Sequence, residues 1–205
     1  MAGLFISFEG IDGVGKSTQA DLLEAWLQEQ NKDVVRTLEP GGTDVGIEIR
    51  KILLHHKGDL APRAEAALFA ADRAHHVASK IRPALEEGKI VITDRYFDSS
   101  VAYQGAGRDL SRTEVRDLSL WAVGGLLPDL TVLLDLPADQ ARARRNTSGT
   151  EPDRLEKEKT EFFETVRAAY LDLANAEPNR FLVVDASVTV EQMQDLIRQR
   201  VAGLI

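Results

Sequence analysis

Gly10-Ile11-Asp12-Gly13-Val14-Gly15-Lys16-Ser17 is the stretch that decides the fold. It matches G-x-x-x-x-G-K-[ST] and lies between a short apolar run, 4–8, and a helical pattern over 16–30, the context that pattern needs to hold phosphate. Background frequencies give a chance match of ~4 × 10⁻⁵ per position, or about 1% over the chain. The residue types follow from the task. Glycines let backbone N–H groups curl around an oxyanion, and the helix N-terminus adds partial positive charge. Lys16 would bridge the β- and γ-phosphates of a nucleotide, and the Ser17 hydroxyl would ligate Mg²⁺. Gly10, Ile11, Asp12, Gly13, Val14, Gly15, Lys16, Ser17 and the following Thr18 make up the nucleotide-binding set. The plainer alternative is a glycine-rich strand–helix turn with a surface lysine.

Outward from that loop, further apolar runs lie at 34–38, 90–93, 130–134 and 181–184. Most are continuously apolar, as strands covered on both faces should be. Helical patterns at 45–55, 63–81, 112–124, 138–146, 154–177 and 189–202 separate or follow them. Pro62 and Pro83 bracket the second of these as start and stop. Thr189 with Gln192 suits a capping arrangement. The alternation predicts an α/β protein: a five-stranded parallel sheet with helices on both faces, joined by right-handed crossovers. With no repeat or linker, 1–205 reads as a single domain. The polar stretch NTSGTEPD, 146–153, suggests a short movable lid over about 142–154.

Composition narrows the function. Among 205 residues, 33 acids against 25 Lys plus Arg leave a formal charge of −8. Duplex nucleic-acid binding needs a basic footprint, so no nucleic-acid partner is expected. A local pocket can still be positive enough for anionic ligands. The absence of cysteine excludes disulfides, zinc–cysteine sites and a thiol nucleophile. MAGLFISFEG has no basic leader, and the longest uncharged run, 118–128, is far too short to span a membrane. A soluble cytoplasmic protein is expected, with no membrane partner. The pairs His55-His56 and His75-His76 are adjacent on their helices and diverge by about 100°, a geometry for structural or solvated roles rather than metal. No N-K-x-D guanine-reading motif is present. A kinase of a small phosphate acceptor is favoured.

The acceptor must come from other residues. Thr93-Asp94-Arg95-Tyr96-Phe97-Asp98-Ser99-Ser100-Val101-Ala102-Tyr103-Gln104 begins at the end of a buried strand, where ligands bind in open parallel sheets. Arg95 offers a bidentate fork for a phosphate, with Arg50 a second contact. Phe69 and Arg73 are i,i+4 and share a helix face, and Ser100 and Gln104 have the same spacing. On spacing alone, a core Phe beside a surface Arg is the simpler reading of the first pair. The second pair equally suits a cap or a helix surface.

The D-R-Y-x-x-S-S-x-A-Y-Q string resembles the thymidylate kinase family at every defined position. Glu39-Pro40-Gly41-Gly42-Thr43, Leu68-Phe69-Ala70-Ala71-Asp72-Arg73, the continuation Tyr103 to Arg108, and Asp153-Arg154 followed by Glu161-Phe162-Phe163 agree with it. The resemblance implies a three-layer P-loop kinase fold with a lid and ATP-dependent phosphorylation of dTMP to dTDP in dTTP synthesis, with Mg²⁺ and as a homodimer. It assigns Phe69 and Arg73 to thymine, with Ser99, Ser100 and Gln104 lining the same acceptor site. It sets Tyr103 against the sugar, where a 2′-hydroxyl would clash. Asp12 would accept from the 3′-hydroxyl or order metal-bound water. Asp94 would act in the Mg²⁺ water shell, and Glu39 at the sugar or that shell. Glu39–Pro40 is a candidate cis peptide. The loop Asp185-Ala186-Ser187 is a positional candidate for the adenine side.

One branch of the family carries an arginine at the position of Gly13. This chain instead has basic residues flanking the lid, Arg142, Arg144, Arg145 and Arg154. Arg144, Arg145 and Arg154 join Lys16, Asp12 and Arg95 as catalytic candidates, although a solvated basic helix end accounts equally for 142–145. Two rivals remain open: a kinase of another nucleoside monophosphate, and a noncatalytic nucleotide-binding module.

Overall fold

The computed structural model describes residues 3–108, 110–146 and 153–205. Five strands form one parallel sheet in the order β2-β3-β1-β4-β5. They are β1 (Leu4–Glu9), β2 (Val34–Leu38), β3 (Ile90–Asp94), β4 (Leu130–Asp135) and β5 (Phe181–Asp185). Four of the five run one residue past the apolar pattern, each onto an acid: Glu9, Asp94, Asp135 and Asp185. These acids mark the carboxyl edge of the sheet. The chain leaves β1 toward β2 and later leaves β3 toward β4, so the connections part between adjacent β1 and β3. That switch point is where α/β sheets open a binding crevice.

Alternate residues of a strand face opposite sides. Ile6, Phe8, Ile92 and Val132 pack with Leu23 and Leu27 of α1 (Lys16–Glu29) and Ile197 of α9 (Val190–Ala202). Phe5 and Val91, from the intervening positions, join Val77, Ile81, Tyr96 and Phe97. Each such side chain contributes roughly 1.5–3 kcal/mol by leaving water. Helix α9 opens with the Thr189–Gln192 capping box.

Three helix boundaries depart from the pattern. Pro83 does not stop the helix that Pro62 opens. After α3 (Pro62–His76) a π-helical segment, Val77–Ile81, widens the turn, and α4 (Arg82–Glu86) follows with Pro83 in its first turn. The wider turn of that segment comes directly before the ring, which cannot serve as a backbone donor. The stretch after β3 is helical, as α5 (Phe97–Ser100) and a second π-helical segment, Val101–Gly107. Asp98, Ser99, Ser100 and Gln104 are all buried there, so no amphipathic stripe announces it. Finally, α8 (Thr160–Ala176) begins six residues after Arg154, because Asp153 and Glu156 hold a turn by exchanging side-chain-to-backbone bonds, each 2.9 Å. The remaining helices are α2 (Asp44–His55), α6 (Arg112–Ala122) and α7 (Ala138–Asn146). The lid expectation for 147–152 lies outside the described residues. Among the described residues, no helix is long and apolar enough to cross a membrane.

Candidate active site

The loop between β1 and α1 is shaped by its glycines. Gly13 adopts φ 92°, and a Cβ there would run into the carbonyl oxygen of Ala141 in α7. The same Cβ would stand 3.3 Å from Arg145 Cβ. The room a side chain at 13 would need is therefore taken by the helix carrying Arg144 and Arg145. Gly15, at φ 97°, turns the loop into α1. Lys16 is folded back over the loop, donating to the carbonyls of Gly10 (3.1 Å) and Ile11 (3.0 Å), with Asp12 Oδ1 at 3.7 Å. Burial, and then the charge of Arg95, lower its pKa from the usual lysine value.

Arg95 follows β3 directly. Its N–H donates to Phe8 O at 2.9 Å, and its φ of 70° is unusual for a residue with a side chain. That twist sends the guanidinium to the end of β1. Nη2 donates to Asp12 Oδ1 (2.6 Å) and Tyr103 OH (3.1 Å). Nη1 reaches Gly10 O (3.1 Å), Ser99 Oγ (3.2 Å) and Tyr170 OH (3.3 Å). Its charge stands 4.9 Å from the Tyr103 ring centre. Burial would raise the Asp12 pKa, yet Arg95 and Lys16 hold it far below the usual carboxylate range. Ser17 Oγ donates to Asp94 Oδ2 at 2.7 Å, joining α1 to the end of β3.

Beneath Arg95 lies Glu9, fully buried. It accepts from Tyr96 N (2.8 Å), Ser99 Oγ (2.6 Å) and Tyr170 OH (2.8 Å). Burial and the nearby charge of Asp98 push its pKa up to about 7. Neither Glu9 nor Tyr170 carries a spacing signal in the sequence.

Two cavities meet at this point. The first, about 150 Å³, is lined by all ten residues expected on the acceptor side: Asp12, Glu39, Arg50, Phe69, Arg73, Arg95, Ser99, Ser100, Tyr103 and Gln104. The second, about 530 Å³, is lined by the loop, Asp94, Arg144 and Arg145. Asp12, Glu39, Arg50, Arg95 and Glu156 belong to both walls. Glu39, at the cis Glu39–Pro40 bond, holds Arg73 Nε at 2.6 Å and His76 Nδ1 at 2.9 Å. His76 is buried in that relay and reaches Thr37 Oγ1 at 2.7 Å, whereas His55, His56 and His75 are exposed. Arg50 donates to Pro40 O at 2.7 Å.

The lid candidates separate. Arg144 donates to Ala186 O at 2.8 Å and Arg145 to Glu156 O at 2.9 Å, both beside the loop. Arg154 faces the other way, to Leu53 O (2.9 Å) and the Glu65 carboxylate. Arg142 is exposed and bonded to Thr160. A third cavity, about 350 Å³, opens beyond the loop between Gly13, Arg144, Val188, Val190 and Met193. Among the described residues no cluster of three or more His, Asp or Glu could hold a metal alone.

This chain is similar to known proteins over its whole length. The thymidylate kinase family model matches residues 8–197. A thymidylate kinase of Leifsonia xyli is 66% identical over 203 residues, covering 99% of this chain and 96% of that one. One from Bifidobacterium longum subsp. infantis is 54% identical, covering 100% and 88%. One from Halothermothrix orenii is 46% identical, covering 100% and 99%.

Proposed function

The chain belongs to the thymidylate kinase family, and we propose that it transfers the γ-phosphoryl group of ATP to dTMP, giving dTDP and ADP. One observation carries this reading: the wall shared by the acceptor cavity and the phosphate cleft, with Arg95 and Asp12 in it. A monoester phosphate bound against Arg95 would stand end to end with a terminal phosphate bound over the loop. An ionised acceptor oxygen then bonds to γ-phosphorus as the bond to the β-bridging oxygen breaks. That oxygen is already deprotonated, so the reaction needs alignment and charge stabilisation rather than a strong base.

Lys16 neutralises the transferring phosphoryl group from the loop side, and Arg95 holds the acceptor phosphate. Arg145 is the lid arginine we assign to the transition state, supported by its seat over Gly13. Arg144 serves the adenine side, since it lines both the phosphate cleft and the cavity beyond it. Arg154 anchors the lid segment, about 142–154 of a single domain, on the acceptor side. Phe69, Arg73, Ser99, Ser100 and Gln104 enclose the base, with Tyr103 and Asp12 at the sugar. The oxygens of Ser17 and Asp94 suit a hard cation held mainly by substrate phosphates, which is how Mg²⁺ is usually bound. Bound with ATP, Mg²⁺ would supply charge neutralisation to the nucleotide's phosphates, with Ser17 and Asp94 as the residues that would hold it.

We further propose a cytoplasmic homodimer. Its supports are the family resemblance and Trp121 of α6, 79% exposed on the layer α6 shares with α3. Incubation with ATP, Mg²⁺ and dTMP should yield dTDP, and competition among dTMP, dUMP, TMP and CMP should favour dTMP. Equal use of CMP would overturn the acceptor assignment.

A further inference from the structure

Three donors converge on a buried carboxylate that lies outside the acceptor cavity's wall. Glu65, in the first turn of α3, is 1% exposed. Its Oε1 accepts from Gln104 Nε2 at 3.0 Å and Arg108 Nε at 3.2 Å, and its Oε2 from Arg154 Nη2. Burial by itself would raise its pKa. Hydrogen bonds from Gln104 and Arg154, with the charge of Arg108, outweigh that and keep it below the usual range. Glu65 is therefore ionised at neutral pH, and an ionised carboxylate only accepts.

This fixes how Gln104 is turned. The two ends of a primary amide have nearly the same shape, and the surrounding hydrogen bonds decide which way each faces. Only the –NH₂ end can face Glu65. The carbonyl end is left over, and Gln104 lines the acceptor cavity beside Arg73 and Ser100. Arg73 can only donate, and its Nη1 already bonds Ser100 Oγ at 3.1 Å. The cavity thus sets an acceptor at 104 near a donor at 73.

We propose that Glu65 is a positioning residue for base selection: by holding the Gln104 amide nitrogen, it leaves Gln104 Oε1 to demand a donor from the incoming pyrimidine. The proposal rests on reading the cavity as the dTMP site. Thymine carries a donor at N3–H beside an acceptor at O4. Cytosine carries an acceptor at N3 beside an amino donor, so it is mismatched at both places. A buried site built for one hydrogen-bond pattern rejects the reversed pattern strongly.

The test compares kcat/KM for dTMP and dCMP in the wild type, Glu65→Gln, Gln104→Leu and the double variant. An amide at 65 can donate as well as accept, which frees Gln104 to turn over. Glu65→Gln should lower the dTMP:dCMP ratio on the order of ten- to hundred-fold. In the Gln104→Leu background it should change the ratio no further. Glu65→Asp, still only an acceptor, should keep the wild-type ratio even if both rates fall. A folded Glu65→Gln enzyme with an unchanged ratio overturns the proposal, as does an equal drop in the Gln104→Leu background. Should Glu65→Gln not fold, a wild-type dTMP complex decides: N3 must lie within hydrogen-bond reach of the Gln104 amide, and any other placement overturns it. A wild type without dTMP activity would instead bring down the pocket reading itself.

Discussion

Glu9 and Arg95 are joined through one hydroxyl: Ser99 Oγ donates to Glu9 Oε2 at 2.6 Å and accepts from Arg95 Nη1 at 3.2 Å. Tyr170 makes the same link, donating to Glu9 at 2.8 Å and accepting from Arg95 at 3.3 Å. An ionised Glu9 only accepts, so it draws the protons of these two hydroxyls, which also lie 2.8 Å from each other, and their lone pairs face Arg95. Arg95 is thus aimed from beneath by a group that never touches it.

A pH dependence follows. With the Glu9 pKa raised from 4.5 to about 7 by burial and Asp98, and countered by Arg95, the aimed state is fully formed only above neutrality. kcat/KM for dTMP should rise with an inflection near pH 7, and Glu9→Gln should lose that limb. The substrate phosphate titrates lower, near pH 6, and its limb should remain in both enzymes. Stability runs the other way. A raised carboxylate contributes stability fully present below about pH 4.5 and lost as pH rises through about 7, at most about 3 kcal/mol here. An inflection unchanged in Glu9→Gln would remove Glu9 from this role.

Lys16→Met should keep the fold at a modest cost, because a chain of similar length fills the space while the Gly10 and Ile11 carbonyls lose the ammonium donor, about 1–3 kcal/mol each at most. Turnover should fall on the order of 10²- to 10³-fold, the usual loss for one preorganised charge-stabilising donor. Urea melts and dTDP formation measured on the same sample would separate the two effects.

Arg145→Ala and Arg154→Ala should differ in kind. The first removes a cation beside the loop and should lower kcat roughly 10²-fold with little change in KM for dTMP. The second leaves Glu65 with one fewer partner and should act mainly on KM for dTMP. Steady-state kinetics with dTMP as the varied substrate distinguish them, and a pure KM effect for Arg145→Ala would refute its assignment.

Arg180 is held by both oxygens of buried Asp98, at 2.6 and 2.9 Å, and stands 4.5 Å from the Phe181 ring centre. Arg180→Ala strands a buried carboxylate and should cost about 3–5 kcal/mol in urea unfolding. Adding Asp98→Asn should recover part of that loss, since the stranded charge is gone. A surface-like cost below about 1 kcal/mol would show the pair to be solvated.

The sheet, its helices on both faces and the phosphate loop were readable because they rest on local signals: continuous apolar runs, helical spacing and glycines at fixed offsets. The acids closing β1, β3, β4 and β5 were not, because an apolar pattern ends where a strand's polar edge begins. The helical turns from Phe97 to Gly107 were hidden because tertiary burial covers their polar residues and admits their glycines. A Cβ on Gly105 would stand 3.1 Å from Arg112 Cα, and one on Gly107 would strike the Phe162 ring. The acceptor residues could be named from their resemblance to a family. Glu9, Glu65 and Tyr170 stayed invisible because each works through contacts with residues 39 to 161 positions away.

The bare backbone at Gly13 has an evolutionary corollary. The loop and α7 compete for one volume, so a relative that places a long cation at this position must draw its helix over 138–146 aside. The two sites should therefore change together across lineages, and transplanting either one alone should leave a sequence caught between two solutions and served by neither.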